Sequence, residues 1–224
     1  MPPLPLRIQV LLASGFGAAA LSVASVEAAA VFAVMMAVVV ATAGAHHPFE
    51  RFGPANYVTM LRAAVVALAA TRLLDPPSER LAWFVVGATA CLAALDGVDG
   101  WLARRTGLAS TFGARFDVEV DASLILVLSL FVWRYDKAGA WVLACGLMRY
   151  AFVAAGWAMP WMNGPLKPTL RGKSVAVGQF AGLGLALAPA VSFPASAIVA
   201  AITLAALVWS FGIDVRRLWR RQGA

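Results

Sequence analysis

The sequence predicts an all-α, polytopic membrane protein with a six-helix core and two further transmembrane helices at its N-terminus. Of its 224 residues, 62% are hydrophobic and 13% are charged, and the mean hydropathy is +0.81. This composition excludes an ordinary soluble domain. The apolar runs are long and do not alternate, so they indicate helices, which need about 20 such residues to cross a bilayer core. The net charge of +7 is typical of basic residues held at one membrane face, and we expect no nucleic acid partner.

Two apolar runs, 7–24 and 28–43, predict an N-terminal transmembrane helix pair within residues 1–45. The first run also has features of a signal peptide. We interpret it as an uncleaved helix, because its removal would break the charge asymmetry described below. A polar linker with proline and glycine, 46–55, follows the pair.

Six further spans predict the core, 56–212, which is followed by a basic cytoplasmic tail, 213–224. Prolines separate several spans, because proline cannot continue a helix and disfavours helical geometry in the residue before it. The clearest stop is Pro76-Pro77. The predicted spans are 57–73, 81–103, 114–133, 138–158, 172–190 and 193–212.

Basic residues predict the orientation of these helices. With eight spans both termini lie on one side, and that side collects most of the Lys and Arg side chains. The positive-inside rule makes it cytoplasmic, and a bacterial inner membrane is the expected location. The C-terminal arginines are interpreted as an anchor to lipid headgroups. The basic residues of this side are Arg7, Arg51, Arg104, Arg105, Arg115, Lys167, Arg171, Lys173, Arg216, Arg217, Arg220 and Arg221.

The segment 96–121 holds five of the eleven acidic residues of the chain. Asp96 and Asp99 are three residues apart and Asp117 and Asp121 are four apart, so each pair projects from one face of a helix. A carboxylate inside the bilayer costs about 2.5–3.5 kcal/mol on insertion scales, and acids placed this close together need a cation. All-oxygen ligands suit Mg²⁺ or Mn²⁺, or Ca²⁺, and four Asp are enough for two ions.

Small residues lie between these acids and let a ligand or a second helix come close to the backbone. Arg104 is placed to complement a phosphate. The structural alternative is a set of solvated Asp side chains in a loop with glycines that serve packing. The helical spacing of four acids next to apolar residues favours the functional interpretation. The small residues are Gly97, Gly100, Ala103 and Gly113.

The whole pattern resembles the signature of the CDP-alcohol phosphotransferase family at all eight of its fixed positions. It reads Asp96-x2-Asp99-Gly100-x2-Ala103-Arg104-x8-Gly113-x3-Asp117-x3-Asp121. The resemblance implies an integral-membrane homodimer that cleaves a CDP-linked alcohol, releases CMP and joins the phosphoryl-alcohol to a second alcohol. It extends loosely over 56–212 and does not cover 1–45.

Roles for individual residues follow from that resemblance. It implies that Asp96, Asp99 and Asp117 are metal ligands, and that Asp121 is a metal neighbour and the general base. Gly100, Ala103 and Gly113 would shape the nucleotide pocket, with Arg104 near it.

The start of the core, Asn56-x2-Thr59-x2-Arg62, is similar to the opening of many members. This similarity implies that Thr59 and Arg62 contact the nucleotide. A near-cap role for Thr59, and a position for Arg62 at the membrane interface, remain open alternatives.

Basic residues outside the fixed positions are candidates for binding the acceptor alcohol. Guanidinium groups hold phosphate bidentately, so such a set suits a phosphorylated acceptor. Membrane topology accounts equally well for those that precede the seventh span. The candidates are Arg115, Arg149, Arg171 and Lys173.

We therefore expect metal-dependent transfer of a phosphatidyl group from CDP-diacylglycerol to a small polar alcohol, as a step of phospholipid biosynthesis. One alternative is transfer of a phospho-base from a soluble CDP-alcohol to diacylglycerol. A cation transporter that uses the same acids is an alternative of another class, and a catalytically silent membrane scaffold is a third.

Overall fold

The structure, a computed structural model, describes residues 6–46, 53–108, 110–164 and 169–221. Within these ranges it is built from helices and contains no strand, which confirms the predicted all-α class. Eight α-helices are described, and three short 3₁₀ turns lie at Arg72–Leu74, Ala140–Val142 and Pro160–Asn163. The α-helices are α1 Leu6–Ala24, α2 Val26–His46, α3 Pro54–Thr71, α4 Glu79–Thr106, α5 Thr111–Arg134, α6 Leu143–Ala158, α7 Leu170–Leu187 and α8 Ala195–Arg220.

Each of the eight predicted spans coincides with one of these helices, with differences at the ends. The largest difference is in α8, which continues beyond 212 to Arg220 and takes in most of the basic segment. Leu207 and Leu218 of α8 are both buried, so the side chains still pack beyond the apolar run and the helix goes on. The second difference is that α6 begins at Leu143, after a 3₁₀ turn.

The helices are those of an integral membrane protein. Among the described residues, four segments are long and apolar enough to cross a membrane: Pro54–Leu74, Glu79–Ala103, Ala140–Ala158 and Ala195–Arg220. Shorter apolar stretches occupy Ile8–Val23 and Val26–Ala37. α5 is not among these four segments, and its first half carries the charged residues Arg115, Asp117, Glu119 and Asp121.

The chain divides into two compact units. The first, Met1–Pro76 with Cys91–Asp121, contains α1, α2 and α3, the end of α4 and the beginning of α5. In the turn between α1 and α2, Ser25 Oγ accepts a hydrogen bond from the Ala28 amide at 3.1 Å and donates one to Glu27 Oε2 at 2.7 Å. A Cβ on Gly17 would lie 2.9 Å from Cε1 of the buried Phe32, so glycine lets these helices approach closely.

The second unit, Pro77–Ala90 with Ala122–Ala224, contains α6, α7 and α8 and the remaining parts of α4 and α5. Polar side chains link its helices. The buried Gln179 of α7 donates from Nε2 to the Thr203 carbonyl of α8 at 2.7 Å. Lys137 Nζ donates to the carbonyls of Ala188 and Val191 just after α7, at 3.2 and 2.6 Å.

The predicted division into a helix pair, 1–45, and a core, 56–212, stays a prediction. Residues 47–52 of the predicted linker lie outside the described part of the chain.

Candidate metal centre

Three carboxylates of the first unit converge at one point. Asp96 lies on α4, and Asp117 and Asp121 lie one turn apart on α5. One side-chain oxygen from each lies within 4.8 Å of the others. The sequence placed Asp96, Asp117 and Asp121 among the acids of one metal site, and the structure brings an oxygen of each together.

The first turn of α5 fixes the direction in which this pair projects. Ser110 precedes the helix, and its Oγ accepts a hydrogen bond from the Gly113 amide at 3.0 Å. The Ala114 amide donates to the Ser110 carbonyl at 3.1 Å. Ser110 therefore satisfies amides of the first turn that have no partner within the helix, as a capping residue does.

Arg62 of α3 binds all three carboxylates. Its Nη1 lies 3.1 Å from Asp96 Oδ1 and 2.5 Å from Asp117 Oδ1, and its Nη2 donates to Asp121 Oδ1. The Arg62 side chain is 1% exposed, whereas Asp121 is 18% exposed and the other two acids are each 32% exposed. Three helices thus contribute charged groups to one partly buried cluster.

The donor set of this cluster fits a divalent metal ion. Carboxylate oxygens are the ligands that Mg²⁺ and Mn²⁺ prefer, and the three oxygens are close enough to share one ion. Arg62 brings one positive charge to these three carboxylates, and a divalent ion would add two more.

The other acid of the signature, Asp99, follows Asp96 by three residues on α4. Gly100 and Ala103 also lie on α4, and both are half-buried. The side chains of Asp99 and Arg104 lie outside the described part of the structure. Their predicted roles as metal ligand and phosphate partner stay predictions.

Gly113 brings the first turn of α5 against the start of α3. A Cβ at this position would lie 2.9 Å from Asn56 Oδ1 and 3.3 Å from Ser110 Oγ. Asn56 is buried, at 6% exposure. A close helix approach is therefore one reason for glycine here, and the predicted contact with a nucleotide remains a prediction.

Thr59 is also buried, and its hydroxyl donates to the Ala55 carbonyl of its own helix at 3.2 Å. It lies three residues before Arg62, so both project from the same side of α3. Its predicted contact with the nucleotide stays a prediction.

The four candidate acceptor residues are divided between the two units. Arg115 belongs to the first unit and is exposed on α5. The other three belong to the second unit, where Arg149 is half-buried on α6 and Lys173 is exposed on α7. Arg171 is held by α8. Its Nη1 donates to the Ser210 carbonyl and to Ser210 Oγ, and its Nη2 donates to Asp214 Oδ1.

Sequence reasoning missed the acidic partners of two arginines, Arg62 and Arg171. The link between Arg62 and the acids had a signal, because an arginine inside an apolar span and a dense set of acids each require a partner. The pair of Arg171 with Asp214 joins residues that are far apart in sequence and carried no such signal.

Comparison with known proteins supplies one match. A family model described as CDP-alcohol phosphatidyltransferase matches residues 52–209. This range holds more than half of the chain and includes all eight positions of the signature. No curated protein and no solved structure matches the chain significantly.

Proposed function

Because the chain belongs to the CDP-alcohol phosphatidyltransferase family, whose members transfer phosphatidyl or phospho-base groups from CDP-alcohols, we propose a specific reaction for it. It transfers the phosphatidyl group of CDP-diacylglycerol to a small polar alcohol and releases CMP. The convergence of Asp96, Asp117 and Asp121 inside the matched region is the observation that carries this proposal.

In the proposed reaction the acceptor oxygen forms a bond to the phosphatidyl phosphorus, and the bond from that phosphorus to the CMP oxygen breaks. The acceptor hydroxyl gives its proton to a carboxylate, and we assign this role to Asp121. Asp96, Asp99 and Asp117 would hold Mg²⁺ or Mn²⁺, as one or two ions. When bound, such ions neutralise the diphosphate, which makes CMP a better leaving group.

The nucleotide is proposed to lie along α4 and the start of α5. Small side chains at Gly100, Ala103 and Gly113 would give it access to the backbone, and Arg104 would balance its phosphates. Thr59 is the remaining residue that is proposed to contact the nucleotide. The contacts of Arg62 with three acids favour a different role for that residue.

We assign the acceptor to the remaining basic residues, with Arg115, Arg149 and Lys173 as the candidates. A phosphorylated alcohol is the acceptor that suits guanidinium and ammonium groups best. The pairing of Arg171 with Asp214 favours a structural role for Arg171. We also propose a homodimer whose active sites face the cytoplasm.

Release of CMP by the purified protein tests this function. The protein is supplied with CDP-diacylglycerol, Mg²⁺ or Mn²⁺, and in turn glycerol phosphate, inositol phosphate, inositol, serine or choline. We expect release with one acceptor, and loss of at least about 100-fold in Asp117→Asn and Asp121→Asn, because each removes a charge that acts on the reacting groups.

Asp75→Asn is the matched control. Asp75 is 46% exposed, pairs only weakly with Arg72 at 3.4 Å, and follows α3 outside the cluster, so its variant should keep full activity. Wild-type rates in Asp117→Asn or Asp121→Asn would contradict the proposal. Activity only with CDP-choline and diacylglycerol would reverse the proposed direction, and metal flux into proteoliposomes without nucleotide would favour a transporter.

A further inference from the structure

The guanidinium of Arg62 lies among the acids of the candidate metal centre. Its two terminal nitrogens are shared among three carboxylates, with Nη1 contacting Asp96 and Asp117 and Nη2 contacting Asp121. These acids come from two helices, and Arg62 comes from a third. Its side chain is almost wholly buried.

A buried arginine loses its hydration, and it is stable only where charged partners replace the lost water. The acids, in turn, need a positive charge. Three carboxylates with oxygens within 4.8 Å of one another repel strongly when they are charged. When no metal ion is present, the acids are the charged partners of Arg62, and Arg62 reduces the repulsion among the acids.

We propose that Arg62 is a positioning residue, a counter-cation that keeps the carboxylates of Asp96, Asp117 and Asp121 together before a divalent ion binds. This inference rests on the proposed function in taking Asp96 and Asp117 as metal ligands and Asp121 as the acid beside the metal, and it adds the residue that prepares them. In this role Arg62 contacts the ligands, and the substrate does not contact it.

The shape of the side chain supports this role. A guanidinium is a planar fork that presents donors in two directions, and it therefore reaches acids on α4 and α5 at once. An ammonium is a single point charge, so Arg62→Lys would keep the charge but lose part of the geometry. One arginine brings a single positive charge to three carboxylates, so Arg62 prepares the centre without filling it.

Thermal unfolding with and without metal tests the proposal. The purified protein in detergent is melted in EDTA and in saturating Mn²⁺, with no substrate present. In EDTA we expect Arg62→Gln to melt on the order of 10 °C below wild type, because an uncompensated buried charge cluster is left behind. In Mn²⁺ most of that difference should disappear, since the ion supplies the missing positive charge.

Arg171→Gln is the matched control, because Arg171 is also a largely buried arginine bound to an acid, Asp214, in the other unit. Its loss should lower the melting temperature by the same amount in EDTA and in Mn²⁺. If Arg62→Gln behaves in the same way as this control, or has no effect in either solution, the proposal is wrong and Arg62 is an ordinary structural residue.

Two further variants keep the test decisive if Arg62→Gln does not fold in EDTA. Arg62→Lys should lie between wild type and Arg62→Gln in EDTA. The double variant Arg62→Gln/Asp117→Asn should be more stable in EDTA than Arg62→Gln alone, because one repelling charge is gone. A double variant no more stable than the single one would overturn the proposal. Because the measurement needs no CDP-alcohol, a failed activity assay would count against the proposed function and leave this result standing.

Discussion

Arg62 and Arg171 are each bound by a carboxylate from another helix, and each is largely buried. In an apolar chain a charged side chain is stable only where such a partner removes the cost of lost hydration. The two arginines serve different ends. Arg62 lies in the cluster that is proposed to bind metal, whereas Arg171 joins the start of α7 to the end of α8.

The assignment of Arg171 to structure gives a residue-scale prediction. Arg171→Gln should lower the free energy of unfolding by about 1–3 kcal/mol, since it leaves Asp214 without its strongest partner in a largely buried place. That corresponds to a fall of about 2–12 °C in melting temperature for a chain of this size.

Lys173→Gln is the matched comparison, because Lys173 lies two residues further along α7 and is exposed. Its melting temperature should stay within about 1 °C of wild type. If it binds a phosphorylated acceptor, the KM for that acceptor should rise while kcat is retained. An Arg171→Gln variant as stable as Lys173→Gln would show that the ion pair contributes nothing.

At the scale of helices, glycines decide how closely neighbouring elements pack within each unit. Gly146 of α6 is buried, and a Cβ there would overlap the Cα of Leu126 on α5. Gly182 of α7 has the same relation to the side chain of Thr203 on α8. Small residues at helix contacts are how membrane helices gain van der Waals contact.

Gly146→Ala should therefore destabilise the second unit. The added methyl group meets backbone, which no change of side-chain rotamer can move away, so we expect a loss of about 1–3 kcal/mol. Thermal unfolding measures this loss. Gly178→Ala is the control, since a Cβ at Gly178 meets nothing within 4 Å, and a helix gains slightly from alanine. Equal melting temperatures for the two variants would contradict the packing argument.

At the scale of the whole molecule, the distribution of basic residues predicts the orientation in the membrane. Arg216, Arg217 and Arg220 belong to the end of α8, and the predicted orientation places them on the cytoplasmic side. Trp219 beside them is 61% exposed, as is typical of a residue at the headgroup level.

Labelling of single cysteines tests this orientation. In a chain with Cys91 and Cys145 replaced by alanine, a cysteine at Ser78 should react with an impermeant maleimide added outside intact cells. A cysteine at Arg221 should react only after the membrane is opened. Ser78 precedes α4 and Arg221 follows α8, so the predicted topology puts them on opposite sides. Labelling of Arg221→Cys from outside would contradict that topology.

Sequence reasoning went furthest where the signal is local. The long apolar runs predicted the helices, and the fold confirmed their number and approximate places in the described residues. Helix ends were predicted less well, because the end of α8 depends on the burial of Leu218 and not on composition. The family followed from eight positions within 26 residues, and the family match confirmed it.

The sequence by itself determined the all-α membrane class, the family and the acids that form the candidate centre. The class depends on composition, and the family and the acids depend on spacing along the chain. Residues three or four apart lie on one face of a helix, because the helix repeats every 3.6 residues. Only the tertiary structure decided that Arg62 of α3 enters the acid cluster and that Arg171 pairs with Asp214. Such contacts join residues distant in the chain, and only the packing of helices against one another determines which charges meet.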